Sequence, residues 1–505
     1  MSVVVPLPNA AQVRADIQQM VDCGPRLTGS PGHDLFCRWV EVEMLAAGLQ
    51  IAPHDIYDYD CYRTGEHSLE LLAGDSAGPI DVATSYVRSI GTPPDGVTGP
   101  LVTAAGFPQT DVVAALLDPN AASTAVRKWV ASVPDGTYRD TILLIELATP
   151  GRLSAGVFTA LSAHLQWDGH DEDDWSRLDY SRAWMGPWLD LSDLVPLGAR
   201  GVVLTTRASM EMLRGNNSLH IARPQPLPAL VVDRDTGALL RAAAEQRPPA
   251  CLRLDVTVEP VQLRQLTAVL PGTSDECIIV NTHTDGQNAF EENGAVAAVA
   301  MARHFASLEP TERLQRTLVF AFYPGHMSGR VGIQDPRGWI LTHPDLIERA
   351  VAAVSIEHLG ATEWVDDELG YRSTGENEIY GIWTTQGATY EHVALPALLE
   401  SDLQRHALLK PPVQITPGRA FHWLGVPHIS GIAGPTYLLN VTPDGEMAKL
   451  DADLAARQIA FYSDVVRRLD SIDRAALARG DSTLGQDAGD DDELAYLDDS
   501  TTSGT

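Results

Sequence analysis

The chain has 505 residues, 44% hydrophobic and 20% charged, enough for two or three domains and too many for one ordinary core. Its net charge of −31, from 36 basic and 67 acidic residues, argues against nucleic acid or an anionic membrane as a partner. Five scattered cysteines without a CxxC pair, a start without a basic n-region and no apolar run of bilayer length predict a cytoplasmic protein with neither a cysteine zinc site nor a disulfide framework.

The first segment reads as helix, turn, helix. "AAQVRADIQQMVDCG" carries Val13, Ile17 and Val21 at helical spacing. "PRLTGSPG" is a turn cluster in which Thr28 or Ser30 caps the amphipathic "HDLFCRWVEVEMLAAGLQ". Residues 76–255 change character: β-like runs such as "GPLVTA", "TILLIEL", "ARGVVLTT" and "PALVVD" alternate with helical stretches. One acidic, aromatic loop there, "WDGHDEDDWSRLDYSRAW", is read as a solvated excursion rather than a substrate-contacting lip.

From residue 264 the pattern is strand, helix, strand. "QLTAVLPG", "CIIVNTHTD", "RTLVFAFYPG", "VAAVSIEHLG" and "GVPHISGI" read as strands. "NGAVAAVAMARHFASL", started by its asparagine and glycine, "PDLIERA" and "DADLAARQIAFYSDVVRRLD" read as helices. Apolar strands alternating with helices predict a mainly parallel sheet buried on both faces, with ligands collecting at the carboxyl ends of the strands. The last 25 residues hold eight acids and no bases and are expected to form a disordered tail.

His283 and Asp285, Gly325 and His326, and Glu357 and His358 each close an apolar strand, and Glu291 and Glu292 open the helix after the first. A single histidine of this kind is usually an ordinary core or surface residue. Imidazoles and carboxylates converging from three strand ends suit zinc or a similar divalent ion, because buried charge is costly unless paired or metal-bound.

Several ordered motifs resemble those of the zinc exopeptidases that include aminopeptidase S, aminopeptidase Y, glutamate carboxypeptidase and glutaminyl cyclase. They are "CGPRLTGSPGHDLFCRWVEVEMLAAGLQ", "QLTAVLPGTSDECIIVNTHTDG", "EENGAVAAVAMARHF", "RTLVFAFYPGHMSG", "AVSIEHLG", "FHWLGVPHI" and "NVTPDG". The resemblance covers most of the chain. It implies an α/β fold, a mainly parallel mixed sheet flanked by helices, formed by residues 1–75 and 256–475. It also implies a β-rich, protease-associated-like domain inserted at 76–255, with an acidic tail at 476–505. By the same resemblance His283 binds the first metal, and Asp285 holds the His283 imidazole without binding metal itself. Glu292 bridges, Glu357 closes the first site, and His326 occupies a second-metal position usually taken by Glu.

Two positions depart from that family. Its general-base glutamate maps onto Gly325, and its final metal histidine maps onto Gly418, with His422 the better nearby substitute and His428 the other. Replacement bases are Glu291, which adjoins the metal shell, Tyr323 and His358. The expected function is a metal-dependent hydrolase of an amide or peptide-like bond using water activated by one or two divalent metals, zinc foremost. One alternative is a one-metal acyl transfer or cyclisation enzyme. The other is a catalytically lapsed peptidase fold that binds a small-molecule or peptide-like ligand.

Overall fold

The computed structural model describes residues 4–109, 119–147, 153–154, 156–180, 189–217, 224–328, 336–411, 416–477 and 480. Most of the expected acidic tail, and residues 181–184 of the acidic loop, lie outside them.

The fold is mixed α/β. Its central sheet runs in the order Pro249–Leu270, Arg316–Tyr323, Ser274–His283, Ala350–Ile356, His428–Ala433, Tyr380–Thr384, His406–Leu409, Ser162–Gln166. The four strands from Arg316–Tyr323 to His428–Ala433 are mutually parallel, and the strands outside them include antiparallel pairs. Every residue of Ala350–Ile356 is buried, as expected where helices cover both faces of a parallel sheet. One face packs on the helices Ala10–Asp22, Pro31–Ala46, Gly294–Ser307 and Ala452–Ser471 through Ile17, Phe36, Val299 and Val465. The other packs Ile279, Val319 and Ala353 against Trp339, Ile347 and Phe421 of shorter helices. Strand polarity therefore brings the ends at His283, Tyr323 and Ile356 to one edge.

A long ribbon leaves this core. Asp55–Leu71 pairs antiparallel with Pro249–Leu270 along almost its full length. Beyond it, Val97–Thr103, Ile142–Glu146, Gly201–Thr205 and Ala229–Val232 form a parallel set with its own apolar packing around Leu144, Val203, Leu230 and Leu240. The segment 76–255 is not all gathered there. Ser162–Gln166 pairs with His406–Leu409 at the edge of the central sheet. The acidic loop is also more than a solvated excursion. Its acids cap a short helix, Glu172–Arg177, whose Trp175 is buried with Trp383 and Leu409. Among the described residues no helix is long and apolar enough to cross a membrane.

Two helix starts differ from expectation. Ser30, not Thr28, caps Pro31–Ala46, accepting the His33 N–H at 3.2 Å. Asn293 makes no side-chain cap for Gly294–Ser307. Its amide donates instead to the carbonyls of Ala289 (3.0 Å) and Leu359 (2.8 Å).

Candidate metal centre

His283 is wholly buried at the end of its strand. Its Nδ1 lies 2.8 Å from the Asp285 carbonyl and 3.2 Å from Asp285 Oδ1. Those acceptors fix the proton on Nδ1 and leave Nε2 as the free lone pair, the arrangement of a metal-ligating imidazole. The carboxylate behind it is itself held. Thr28 Oγ1 donates to Asp285 Oδ2 at 2.5 Å, and the Met327 N–H at 2.8 Å. Asp285 stays far below the usual carboxylate range. Burial opposes ionisation, but the His283 imidazole and the Thr28 hydroxyl outweigh it.

Glu292 is oriented by the helix start that follows it. Its Oε1 accepts from Thr282 Oγ1 at 2.6 Å and from the Gly294 N–H at 2.7 Å. A Cβ on Gly294 would fall 1.9 Å from the Ile356 carbonyl and 2.4 Å from Glu292 Oε1, so only glycine permits this approach. The other oxygen, Oε2, faces His283 Nε2 at 3.0 Å, and Glu357 Oε1 lies 3.2 Å from the same nitrogen. The Glu357 backbone is anchored by the buried Tyr380 hydroxyl, which donates to its carbonyl at 2.8 Å. His326 begins a 3-10 turn, with its ring centroid 4.5 Å from that of His283.

Glu291 and His358 complete the cluster. His358 has φ of 56°, a left-handed conformation uncommon outside glycine. Its Nδ1 lies 2.5 Å from the Ala433 carbonyl. Its Nε2 therefore faces inward, 2.8 Å from Glu291 Oε2 and 3.8 Å from Glu292 Oε2. Glu291 Oε1 reaches towards His283 Nε2 at 3.7 Å. Three overlapping groups have ligand atoms close enough to share an ion: His283 with His326 and Glu357, His283 with Glu291 and His358, and Glu292 with Glu357 and His358.

The charge balance is one-sided. Asp285, Glu291, Glu292 and Glu357 are each 3% exposed or less, as is the neighbouring Arg26. With neutral imidazoles, four carboxylates face one guanidinium. The titration directions express that excess. Burial works against a charged His283, yet Glu292, Asp285 and Glu357 raise its affinity for a proton well above the ordinary value. Burial likewise opposes charge on His358, but Glu291 above all brings it to about 9. Burial, with the Glu292 charge, pushes Glu357 up to about 7 against the pull of His283. Protons are drawn into a site that a divalent cation would neutralise better.

The residues present fit such a cation. His283 Nε2, Glu292 Oε2, Glu357 Oε2 and His358 Nε2 are buried and join no hydrogen bond of good geometry. Bond lengths of about 2.0–2.2 Å to zinc place tetrahedral ligand atoms roughly 3.3–3.6 Å apart. The separations of 3.0 and 3.2 Å around His283 are close to that.

The remaining candidates, Tyr323, His422 and His428, are in none of these three groups. Tyr323 is buried in the apolar cluster with Trp339 and Phe421, its ring 6.2 Å from that of Trp339. His422 stands in the short helix Gly418–Trp423 with its ring 5.5 Å from His428, and neither belongs to the three groups above. Sequence reasoning missed Arg26, whose Nη2 donates to the Asn288 carbonyl at 2.8 Å and to the Glu291 carbonyl. It also missed the bond from Thr28 to Asp285, although it had weighed Thr28 as a cap.

No family model and no curated protein sequence matches the chain. Solved structures do. An aminopeptidase from Aneurinibacillus sp. strain AM-1 is 15% identical over 94% of this chain and 96% of its own, with a TM-score of 0.58. A peptidase M28 precursor from Shewanella amazonensis SB2B is 17% identical over 92% and 96%, with a TM-score of 0.60. BSAP, a zinc aminopeptidase from Bacillus subtilis, is 13% identical over 94% and 98%, with a TM-score of 0.58. At these identities the likeness establishes the fold, shared along nearly the whole length.

Proposed function

We propose that the protein is a metal-dependent hydrolase of an amide or peptide-like bond. The observation that carries this reading is the buried meeting of His283 Nε2 with Glu292 Oε2 and Glu357 Oε1, at 3.0 and 3.2 Å, in a site with more carboxylate than cation. The fold of zinc aminopeptidases supports it. His283, Glu292 and Glu357 would hold the ion, zinc by donor chemistry, with His326 beside them. A divalent cation here supplies polarisation of a carbonyl oxygen and acidification of water at neutral pH.

The chain's own residues handle the protons. Asp285 keeps the His283 proton on Nδ1. Glu291 Oε2 and His358 Nε2 lie 2.8 Å apart, close enough for a proton to pass between them. This pair takes the part that Gly325 leaves empty, accepting a proton from water and returning it to the departing nitrogen. Of the three replacement bases, Glu291 and His358 stand in the acid cluster, whereas Tyr323 packs in apolar surroundings. His422 is in none of the three ligand groups among the described residues, which favours one cation over two and keeps acyl transfer or cyclisation as a variant chemistry. The segment 76–255 is read as the inserted protease-associated-like domain, and the substrate as small or peptide-like.

A second reading, a peptidase fold kept for binding, is favoured by Gly325. Chelation decides between them. Hydrolysis of amino-acid amides should vanish when divalent ions are removed and return with zinc. A protein that takes up no divalent ion, or turnover indifferent to chelation, would sink the hydrolase reading.

A further inference from the structure

The loop that carries the ligands is tied by polar bonds to residues 212–217, which follow the outer strand Gly201–Thr205. Asn288, 1% exposed, places Nδ2 within 2.9 Å of the Tyr437 carbonyl, 2.8 Å of Leu438 and 3.0 Å of Asn440. Its Oδ1 accepts the N–H groups of Phe290 (3.0 Å) and Glu291 (3.3 Å). The segment 437–441 is bonded in turn to residues 212–217. Asn217 N donates to Leu439 O at 2.8 Å, Val441 N to Gly215 O at 2.9 Å, and Asn440 Nδ2 to Met212 O at 3.1 Å. Gln287, 2% exposed and two residues from Asp285, closes the circuit by donating from Nε2 to Asn217 O at 2.6 Å.

We propose that residues 212–217 are a working part of the metal centre. They position the loop 285–292, and through it set how tightly Glu292 holds a cation. The inference rests on the metal reading above. Buried polar bonds of this kind enforce one geometry where apolar contacts would tolerate sliding. Coupling between two sites is reciprocal, so a cation that orders 285–292 must also order 212–217.

Gly215 offers a local way to break the seam. It has φ of 70°, and a Cβ there would lie 2.1 Å from the Val441 carbonyl. Gly136 is the control: its φ is 81°, and an added Cβ meets nothing within 4 Å. The full chain is stripped of metal and titrated with Zn²⁺ by calorimetry, well below the unfolding transition of each variant. Gly215→Val should weaken Zn²⁺ binding by about 5–50-fold, within the usual range of site coupling, and Gly136→Val by less than about twofold. Amide exchange read by mass spectrometry should quicken over 285–293 in metal-free Gly215→Val alone. Zn²⁺ should slow exchange over 212–217 in the unmodified protein. A folded Gly215→Val with unchanged Zn²⁺ affinity and unchanged exchange over 285–293 would overturn the proposal. If the unmodified protein takes no Zn²⁺, the metal reading falls, and so does control of cation affinity; exchange over 285–293 still decides whether the seam positions that loop. Should Gly215→Val fail to fold, Gln287→Met removes the bond to Asn217 from the other side, with the same expectations.

Discussion

His358 Nε2 lies 2.8 Å from Glu291 Oε2, and the two side chains are 3% and 4% exposed. Neither residue stands at position 325, where the sequence resemblance implies a base and this chain has glycine. The pair reaches the same cluster from two other directions. Glu291 arrives on the loop before the helix Gly294–Ser307, and His358 from a left-handed residue after Ala350–Ile356. Against burial, the charge of Glu291, with Glu357 and Glu292 behind it, raises the affinity of His358 for a proton.

His283→Ala should remove the bound metal while leaving the outer parallel set, Val97–Thr103 to Ala229–Val232, folded, because that set has separate apolar packing. Asp285→Asn should do less, weakening metal binding by about 10–100-fold, as is usual for a partner one bond behind the ligand. Zinc titration of both variants checks the order. Equal losses would make Asp285 itself a ligand.

Thr28→Val deletes the hydroxyl that bonds Asp285 Oδ2 at 2.5 Å and leaves the Met327 N–H as the remaining donor named there. Depriving a buried carboxylate of one donor typically costs about 1–3 kcal/mol. Chemical denaturation should register that loss, and metal affinity should fall by less than in Asp285→Asn. A Thr28→Val protein as stable as the parent would show that Asp285 does not depend on this bond.

How much of this was legible in the sequence follows from how far apart the partners are. His283, Glu292 and Glu357 could be read because each adjoins a strand end or helix start that apolar patterning marks. The ribbon at 55–71 was open to the same reading. Tyr57, Tyr59 and Cys61 alternate inward while Asp58 and Asp60 point out. Thr28 and Arg26 could not be placed, because they act on residues more than 250 positions away. Asn293 misled for a local reason. An asparagine before an apolar helix ordinarily caps it, but here the Glu292 carboxylate takes the Gly294 N–H and the asparagine serves the carbonyls beneath.

Acid should destabilise the protein through histidines buried in neutral form. His406 is wholly buried and brought down to about 4, by burial first and by Arg457, against the Gln404 carbonyl. Its folded value is below its unfolded one, so the unfolded chain takes up the proton first as pH falls. The stabilisation is complete above about pH 6.5 and drains away towards pH 4. At 1.36 kcal/mol per pH unit it amounts to roughly 3 kcal/mol. Denaturant unfolding between pH 7 and 4.5 should show His406→Gln losing stability less steeply than the parent, by about one proton. Parallel slopes would mean that His406 is already protonated in the fold.

Glu291→Gln tests the proton-handling pair directly. The amide can still occupy the space and accept a hydrogen bond, but it cannot take a proton. Turnover of amino-acid amides should fall by about 10²–10⁴-fold, the usual weight of a positioned base, with bound metal retained, since His283, Glu292 and Glu357 are untouched. Gly325→Glu placed in that background supplies a new carboxylate at the end of the strand Arg316–Tyr323 and should restore part of the lost rate. Metal analysis of the single variant is the discriminating measurement. If metal is lost together with turnover, Glu291 belongs to the ligand set, its 3.7 Å approach to His283 Nε2 is a ligand's approach, and proton transfer passes to His358 alone. His358→Gln would then abolish turnover at full metal content.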